Sequence, residues 1–401
     1  MALASAKTTL HRDTTNAMQA ALNISQKNDR HHDQQRIAVA FPCRPSAPPH
    51  EMASHNCLTR KLAKLLGLHF IEGYSPDTHE EIAGIYYLPA DTLVTTAISG
   101  HTAPLPGVRT ERDLFGGMAP YPFVGTKAIT HPLVHANAKA PNGWSSLFGA
   151  AVKDAVLRGV TAFTADDAIS AGQKLLSHGA VRIKSVNGSG GRGQCTVRNR
   201  THLIEFIEQH DLGELASAGL VLEEHLDNVE TYSVGRIQVG GLIASYVGTQ
   251  ALTPDNAGNL VYGGSELRLV RGDWDALLTL ECTQAERKAV ELARIYDEAA
   301  FRCYPSLYAS RRNYDVACGL DGAGKPCFGV LEQSWRMGGA SFAEACALEF
   351  FAAEPEAQAV RAFTVERFGP GHQAPPTAQL IYQNKDPHVG LITKYGGISS
   401  I

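Results

Sequence analysis

The chain has 401 residues, of which 44% are hydrophobic and 19% are charged, and its formal net charge is −4. This length exceeds one ordinary core and predicts two or three subdomains, and the weak negative charge argues against nucleic acid or an anionic membrane surface as a partner. The 8 cysteines form no C-x-x-C pair and no apolar window reaches about 18 residues, so we expect a reduced, cytoplasmic protein without a membrane span.

The first part of the chain predicts a flexible arm followed by a small domain. Residues 1–35 are rich in Ala, Thr, Asn, Gln and His and predict the arm. Residues 36–122 predict an α/β domain that begins as β-α-β and ends in a section rich in glycine and proline. Its predicted elements are strands at 36–41, 68–71 and 84–89 and a helix at 51–66.

The remaining chain alternates helices and strands in an α+β pattern, which we divide at residue 220. Residues 123–220 predict helices at 144–158, 165–176 and 200–209 and two strands around a glycine-rich turn. Residues 221–401 predict an apolar strand at 220–226, a hairpin at 231–246, a helix at 284–301, paired strands at 314–320 and 327–332, and a helix at 342–351. Residues 262–268 predict a polar loop whose arginine suits a carboxylate, or else a plain surface turn.

A glycine-rich hairpin is the most informative stretch of the sequence. A strand that carries Lys184 leads into the turn 188–193, which contains Arg192, and a second strand leads away. Glycines allow backbone N–H groups to approach an anion closely, and the lysine and arginine add positive charge. The pattern therefore favours a loop that covers phosphate groups.

Two other nucleotide-binding motifs do not explain this hairpin. Gly188, Gly190 and Gly193 match G-x-G-x-x-G, but a dinucleotide fold needs a helix after the motif, whereas residues 194–197 predict a strand. A P-loop needs Gly-Lys-Ser/Thr, and Gln194 follows Gly193. A surface hairpin without a ligand is the remaining alternative.

Acidic residues near the ends of the predicted strand pair form a candidate metal site. Asp315 and Glu332 are positioned to converge on one face and bind a hard divalent cation together with nucleotide phosphates, although two strand-end carboxylates are more often simply solvated. Ser334 adds a neutral oxygen, and Arg336 adds a bidentate contact for phosphate or carboxylate. An acid, a polar residue, an arginine and two glycines this closely spaced are hard to explain as packing.

A further candidate binding segment follows the apolar strand that begins at Leu220. Residues 223–226 are suited to a linker whose backbone reads an adenine edge, with Glu230 within reach of ribose hydroxyls. The alternative is a charged strand end, which is the interpretation we prefer for Glu224 and His225. No histidine pair has convincing zinc-ligand spacing, and no G-x-S-x-G motif supports a serine hydrolase.

Taken together, these motifs resemble the ATP-grasp superfamily over residues 144–351. The resemblance implies two α+β lobes that clamp ATP, preceded by an α/β domain that contributes to the substrate site. It implies that Lys127, less preferably Lys139 or Lys153, is the upstream ATP lysine. The other implied nucleotide contacts are Lys184, Gly188, Ser189, Gly190, Gly191, Gly193, Glu223, Glu224, Leu226 and Glu230.

The same resemblance assigns the metal and the chemistry. Mg²⁺ is expected on Asp315, Glu332 and Ser334, with Asp321 as a less favoured first acid, and Arg336, Arg192 and Lys184 are the expected catalytic residues. The serine stands where the family usually has asparagine, and the separation of Asp315 from Glu332 is longer than the family pattern. The serine is the poorer metal ligand and bears on two-ion coordination, and the long separation is the reason that Asp321 remains an alternative first acid.

The implied function is an ATP- and Mg²⁺-dependent carboxylate ligase that joins a small-molecule carboxylate to an amine or another nucleophile through an acyl phosphate. The alternatives are an ATP-binding sensor or assembly protein without turnover, which Ser334 motivates, and a phosphotransferase acting on a hydroxyl. A homo-oligomer is compatible with the sequence. The identities of the acid and the nucleophile are not encoded in these motifs.

Overall fold

The computed structural model describes residues 36–43, 47–75, 84–95, 105, 107–188 and 193–400. The arm predicted for residues 1–35 lies outside these ranges. So do Ser189, Gly190, Gly191 and Arg192 of the predicted glycine-rich turn.

The described chain forms a mixed α/β structure. Its helices are α1 (Pro49–Leu66), α2 (Ser146–Val152), α3 (Ala165–Leu176), α4 (Arg200–Glu208), α5 (Leu212–Ala218), α6 (Gln284–Cys303) and α7 (Ser341–Ala353). Short 3-10 helices occupy Pro122–Gly125, Lys127–Thr130 and Trp274–Thr279. The strands are β1 (Ile37–Phe41), β2 (His69–Ile71), β3 (Ile85–Pro89), β4 (Leu93–Val94), β5 (Gly117–Ala119), β6 (Gly159–Ala162), β7 (Val181–Ser185), β8 (Gln194–Val197), β9 (Leu220–Glu224), β10 (Asp227–Val239), β11 (Leu242–Pro254), β12 (Leu260–Arg271), β13 (Tyr308–Ala309), β14 (Arg311–Leu320), β15 (Pro326–Ser334), β16 (Ala359–Phe368), β17 (Gln379–Asp386) and β18 (Gly390–Ser400).

These strands form four sheets. A three-stranded parallel sheet has the order β2-β1-β3, and a second three-stranded sheet has the order β13-β5-β4. We call the four-stranded antiparallel sheet β6-β9-β7-β8 the small sheet of the cleft. We call the eight-stranded antiparallel sheet β15-β14-β10-β11-β12-β16-β18-β17 the large sheet.

The predicted β-α-β beginning is confirmed. Strand β1 is a continuous apolar run because both of its faces are covered, as is usual for a parallel strand. Ala38 packs with Leu58 and Leu62 of α1, whereas Ile37 and Val39 pack in a separate cluster on the other side. The run therefore carries no alternation of polar and apolar residues.

Helices α6 and α7 cover different faces of the large sheet. Tyr314 and Val316 of β14 share a core with Leu292 of α6. Tyr246 and Leu267, from β11 and β12, share another core with α7. Because side chains alternate along a strand, the residues next to Tyr314 and Val316 point to the α7 side, and this is the side on which the cleft opens.

One predicted helix start is confirmed at residue level, and one predicted helix end is wrong. Helix α3 begins after Thr164, whose hydroxyl accepts a hydrogen bond from the Asp167 N–H at 3.1 Å. The helix predicted at 144–158 is shorter than expected, because α2 ends at Val152 and Gly159 begins strand β6. A Cβ at Gly159 would lie 2.6 Å from the His131 ring, so this glycine permits close packing and does not end a helix.

The longest described helix, α6, begins with a reciprocal capping box. The Thr283 hydroxyl accepts from the Glu286 N–H at 3.2 Å, and the Thr283 N–H donates to the Glu286 carboxylate at 2.7 Å. We expect Thr283→Ala to lower the free energy of unfolding by about 1 kcal/mol, measured by urea denaturation. Thr201→Ala, an exposed site in α4, is the matched control and should change it by less than about 0.5 kcal/mol. Equal losses at both positions would contradict the capping role.

One sequence expectation about the second half of the chain is wrong, and one region carries no prediction. Residues 262–268, predicted as a polar loop, lie within strand β12, where they pair with β11 and β16. Strands β16, β17 and β18 follow α7 and were not predicted. No helix of the described ranges is long and apolar enough to cross a membrane.

Candidate active site

A cleft of about 1060 Å³ lies between the small and large sheets and extends to the N-terminal turn of α1. We call the end lined by the predicted ATP residues the nucleotide end. The predicted site residues that line the cleft are Lys127, Lys184, Glu223, Glu224, Leu226, Asp315, Glu332, Ser334 and Arg336. Residues that are up to 209 positions apart in the sequence therefore share one space.

The predicted acids Asp315 and Glu332 are direct cross-strand partners. They face each other in the register of β14 and β15, immediately before a register shift that interrupts the ladder. Burial of the Asp315 carboxyl, followed by the neighbouring Glu332 carboxylate, raises the pKa of Asp315 above its ordinary value. A divalent cation between the two carboxylates would offset this repulsion.

Three side chains orient Asp315. Its Oδ1 accepts hydrogen bonds from Gln250 Nε2 at 2.8 Å, Asn313 Nδ2 at 2.9 Å and Ser233 Oγ at 3.3 Å. Asn313 is itself held, because its Oδ1 accepts from the Tyr246 hydroxyl at 2.9 Å. The carboxylate is therefore fixed on one oxygen, and no described donor occupies Oδ2 at hydrogen-bond distance.

Lys127 connects the metal-site acid to the glycine-rich hairpin. Its Nζ lies 2.9 Å from Glu332 Oε2 and donates to the Gly188 carbonyl at 2.8 Å. The lysine is only 4% exposed and begins a 3-10 helix capped by Thr126. The alternative lysines, Lys139 and Lys153, are exposed and are absent from the cleft lining.

The hairpin itself forms as predicted. Strands β7 and β8 pair antiparallel, and the Ser185 N–H donates to the Gly193 carbonyl at 3.0 Å. Gly193 has φ of +70°, a left-handed conformation that disfavours residues with a Cβ. The sequence correctly predicts a strand, and no helix, after this residue.

Lys184, Glu223 and His131 form a buried cluster under the small sheet. Lys184 Nζ pairs with Glu223 Oε1, and His131 Nε2 lies 3.1 Å from Glu223 Oε2. Burial alone would raise the pKa of Glu223, but the Lys184 charge and the His131 hydrogen bond outweigh it and lower the pKa to about 2. Glu223 therefore stays ionised, with both oxygens engaged, and holds Lys184 in place.

The predicted linker at residues 223–226 contributes one side of the nucleotide end. Leu226 lines the cleft together with Leu157, Ala317 and Leu331, which gives this end an apolar wall. The Glu224 carboxylate accepts from the Arg158 N–H at 3.0 Å, as a charged strand end would.

Glu230 does not lie where the sequence suggested. Thr231 and Ser233 line the cleft, and strand alternation places Glu230 with Tyr232 on the other face of the sheet. The Tyr232 hydroxyl donates to Glu230 Oε2 there. The predicted ribose contact is therefore not supported by the position of this side chain.

Ser334 is engaged by the protein itself. Its Oγ accepts from Arg311 Nη1 at 3.2 Å, and its register partner is Asn313. Arg311 is fully buried and pairs with Glu344 of α7 at 2.7 Å. Because the arginine occupies the hydroxyl oxygen, the expectation that Ser334 is a metal ligand is not supported by this geometry.

The last predicted catalytic residue, Arg336, lies where the cleft continues away from the nucleotide end. It is 34% exposed, its Nε lies 3.9 Å from Asp91 Oδ1, and its Nη1 donates to the Met337 carbonyl at 3.1 Å. The alternative acid Asp321 caps its own turn by accepting from the Ala323 and Lys325 N–H groups, each at 2.9 Å. Asp321 is therefore not part of the cleft.

Sequence reasoning did not find several groups that shape this site. Asn313 lies two residues before Asp315 on one strand, so alternation contained the signal that they share a face. His131 and Gln250 carried no such signal, because their partners lie 92 and 65 positions away. Only the tertiary structure brings them to the acids.

The donor set of the cleft fits Mg²⁺ better than zinc. No group of three or more His, Cys, Asp or Glu side chains in the described ranges is arranged to hold a metal ion. Two adjacent carboxylates suit Mg²⁺, which is usually held by one or two carboxylates with substrate phosphates and water completing its octahedron. Asp315 and Glu332 are the residues that would hold it.

A family model described as "Protein of unknown function (DUF3182)" matches residues 38–396, so the chain belongs to this family. No curated protein matches the sequence.

Solved structures similar to the chain include three nucleotide-related enzymes. Phosphoribosylamine–glycine ligase from Thermotoga maritima has a TM-score of 0.49 and 15% identity and covers 91% of this chain and 92% of its own. N5-carboxyaminoimidazole synthase from Aspergillus clavatus, in complex with ADP and 5-aminoimidazole ribonucleotide, has a TM-score of 0.46 and 12% identity. The match covers 92% of this chain and 95% of that chain. Biotin carboxylase from Campylobacter jejuni has a TM-score of 0.45 and 13% identity. The match covers 92% of this chain and 89% of that chain.

Proposed function

We propose that this member of the DUF3182 family is an ATP- and Mg²⁺-dependent carboxylate ligase of the ATP-grasp type, acting through an acyl phosphate. The observation that carries the proposal is the meeting of two buried lysines from one side of the cleft with two adjacent carboxylates from the other. Lys127 and Lys184 supply the positive charge, and Asp315 and Glu332 supply the metal ligands. This is the charge pattern that a metal–triphosphate complex requires.

In this proposal, a separate part of the nucleotide end serves each part of ATP. The apolar wall of Leu157, Leu226, Ala317 and Leu331 suits the adenine ring. Lys184, held by Glu223, lies on the strand that leads into the glycine-rich turn and suits the α- and β-phosphates. Backbone N–H groups of that turn would cover the γ-phosphate, with Arg192 as the proposed charged residue of the cover.

The chain's own residues would promote the reaction chiefly by positioning and electrostatics. Mg²⁺, when bound, neutralises charge on the phosphate oxygens. Gln250, Asn313 and Ser233 hold one oxygen of Asp315, which leaves the other directed to the ligand. Arg336 lies farther along the cleft and suits the transferring phosphoryl group. A substrate carboxylate attacks the γ-phosphorus and releases ADP, and an amine then attacks the acyl carbon and releases phosphate.

Trapping of the acyl phosphate tests this proposal. We expect purified protein incubated with ATP, Mg²⁺, hydroxylamine and pools of carboxylic acids to release ADP and to form a hydroxamate with at least one pool. Lys127→Met should reduce hydroxamate formation by about a hundredfold, whereas Lys325→Met, at an exposed turn, should not. The measurement is ADP release together with the coloured iron–hydroxamate complex.

The same assay separates the alternative functions. Tight binding of ATP without ADP release in the presence of any pool would overturn the ligase proposal in favour of an ATP sensor. The observation that favours a sensor is the hydrogen bond from Arg311 to Ser334. ADP release with a stable phosphorylated alcohol and no hydroxamate would overturn it in favour of a phosphotransferase.

A further inference from the structure

The cleft continues beyond the nucleotide end into a second compartment built by other parts of the chain. We call it the far compartment; its walls are the first turns of α1, the segment after β15, and strands β16 and β18. These walls lie at the end of the cleft opposite the apolar wall of Leu157, Leu226, Ala317 and Leu331.

Two ion pairs line this compartment. Lys394 and Glu366 are cross-strand partners on β18 and β16, with Nζ 2.9 Å from Oε1 and side chains only 8% and 18% exposed. Arg336 and Asp91 are more loosely paired at 3.9 Å, and each side chain is about one-third exposed. Both pairs therefore present a cation and an anion side by side.

The Lys394–Glu366 pair is unlike a surface ion pair. Removing two charges from water is costly, and a buried pair generally contributes little net stability compared with apolar residues of the same size. Thr364 of β16, on the same face, also lines the cleft, and its hydroxyl contacts the Tyr262 hydroxyl at 3.1 Å. A buried pair beside open space is a feature expected of a ligand-binding wall.

His55, one of three histidines that line the described cleft, adds no charge at neutral pH. Burial, followed by the charges of Lys394, Arg336 and His50, lowers the pKa of His55 to about 4. All four of these side chains line the cleft. The other charged residues of the described cleft lining on this side are Glu51, which is exposed at the rim, Asp255, and Arg311, which is buried and paired with Glu344.

We infer that the far compartment binds a ligand carrying both an ammonium and a carboxylate group, that is, a free amino acid or the amino-acid end of a larger molecule. Its carboxylate would contact Lys394 and Arg336, and its ammonium would contact Glu366 and Asp91. A ligand with only one charge would leave part of each pair without a new partner. Use of the amine as the acceptor in ligation rests on the proposed function, whereas binding of the amino acid does not.

Binding to the nucleotide-free protein tests this inference separately from catalysis. We would screen the proteinogenic amino acids and β-alanine by thermal shift and measure each hit by calorimetry. Each hit would then be compared with its carboxamide, which lacks the carboxylate, and with its deaminated acid, which lacks the ammonium. We expect at least one amino acid to bind and both analogues to bind about tenfold or more weakly.

Two variants assign the charges to residues. Lys394→Met should weaken binding of the amino acid and of the deaminated acid but should leave the carboxamide unaffected. Glu366→Gln should weaken binding of the amino acid and of the carboxamide but should leave the deaminated acid unaffected. The matched control is Lys61→Met, which removes a lysine paired with Glu349 at 2.5 Å outside this cleft and should leave all three affinities unchanged. Circular dichroism of each variant confirms that it is folded.

Three outcomes would overturn the inference. The first is tighter binding of a deaminated acid than of any amino acid. The second is an equal loss of affinity for both analogues in Lys394→Met and in Glu366→Gln. The third is that protein able to bind ATP binds no amino acid. Failure of ATP binding with retained amino-acid binding would instead overturn the proposed ligase and leave this site standing.

Discussion

Replacing Glu332 by glutamine is expected to abolish the effect of Mg²⁺ on nucleotide binding and to reduce acyl-phosphate formation by about a hundredfold or more. The substitution keeps the size of the side chain but removes the charge that pairs with Lys127 at 2.9 Å and faces Asp315 across the strand pair. Asp315 alone would then have to hold the cation. Lys127 would also lose its anion, and the Gly188 carbonyl would be its remaining hydrogen-bond partner within the described residues.

Calorimetry with a non-hydrolysable ATP analogue, with and without Mg²⁺, measures the first effect without knowledge of the acid substrate. The control is Glu266→Gln on β12. The Glu266 side chain is 59% exposed, and its ion pair with Arg361 is long, at 4.0 Å. The control should retain the Mg²⁺ dependence of the wild type. If Glu332→Gln also retains it, Glu332 is not a metal ligand.

Removing the carboxylate of Glu223 is expected to cause a large loss of stability. Glu223→Ala would leave the buried ammonium of Lys184 without its partner, and breaking one member of a buried pair costs about 3–5 kcal/mol. Urea denaturation measures this loss as a fall in the free energy of unfolding. The double variant Glu223→Leu/Lys184→Met removes both charges and should recover a substantial part of it. A double variant no more stable than Glu223→Ala would contradict the buried-charge explanation.

The same cluster predicts a particular pH dependence. The pKa of Glu223 is lowered from 4.5 to about 2 on folding, so its contribution is fully present above about pH 4.5 and is lost as the pH falls towards 2. A shift of this size corresponds to roughly 3 kcal/mol. Wild-type protein should therefore lose more unfolding free energy between pH 5 and 2.5 than Glu223→Gln, in acid titrations followed at fixed urea. Parallel curves for the two proteins would exclude this linkage.

The elements that sequence patterns predict well are those whose signals are local. The hydroxyl of Thr164 caps α3, and the glycine pair 240–241 connects β10 to β11, as the sequence indicates. The helix predicted at 144–158 covers only Ser146–Val152, and Gly159 packs against His131, a contact that local sequence does not contain. The sequence of strand β12 imitates a loop because Gly263, Gly264 and Ser265 interrupt its apolar residues.

The candidate site follows the same division. The paired acids Asp315 and Glu332 were predicted from their positions in two apolar segments, and the register brings them together. The expected roles of Ser334 and Glu230 were not supported, because the first depends on where Arg311 reaches and the second on which face of β10 a side chain takes. Neither fact can be read from spacing alone when strand limits are unknown.

The order of strands in the large sheet has a consequence for how the protein folds. Strands β10 and β11 are joined by a tight turn and can pair early, whereas the pairing of β12 with β16 joins Ser265 to Thr364, 99 positions later. Such distant contacts close slowly, because the entropy of a long loop is lost before any contact compensates for it. The far compartment depends on this late pairing. We therefore expect the hairpins β7/β8, β10/β11 and β14/β15 to form while the wall that carries Lys394 is still incomplete.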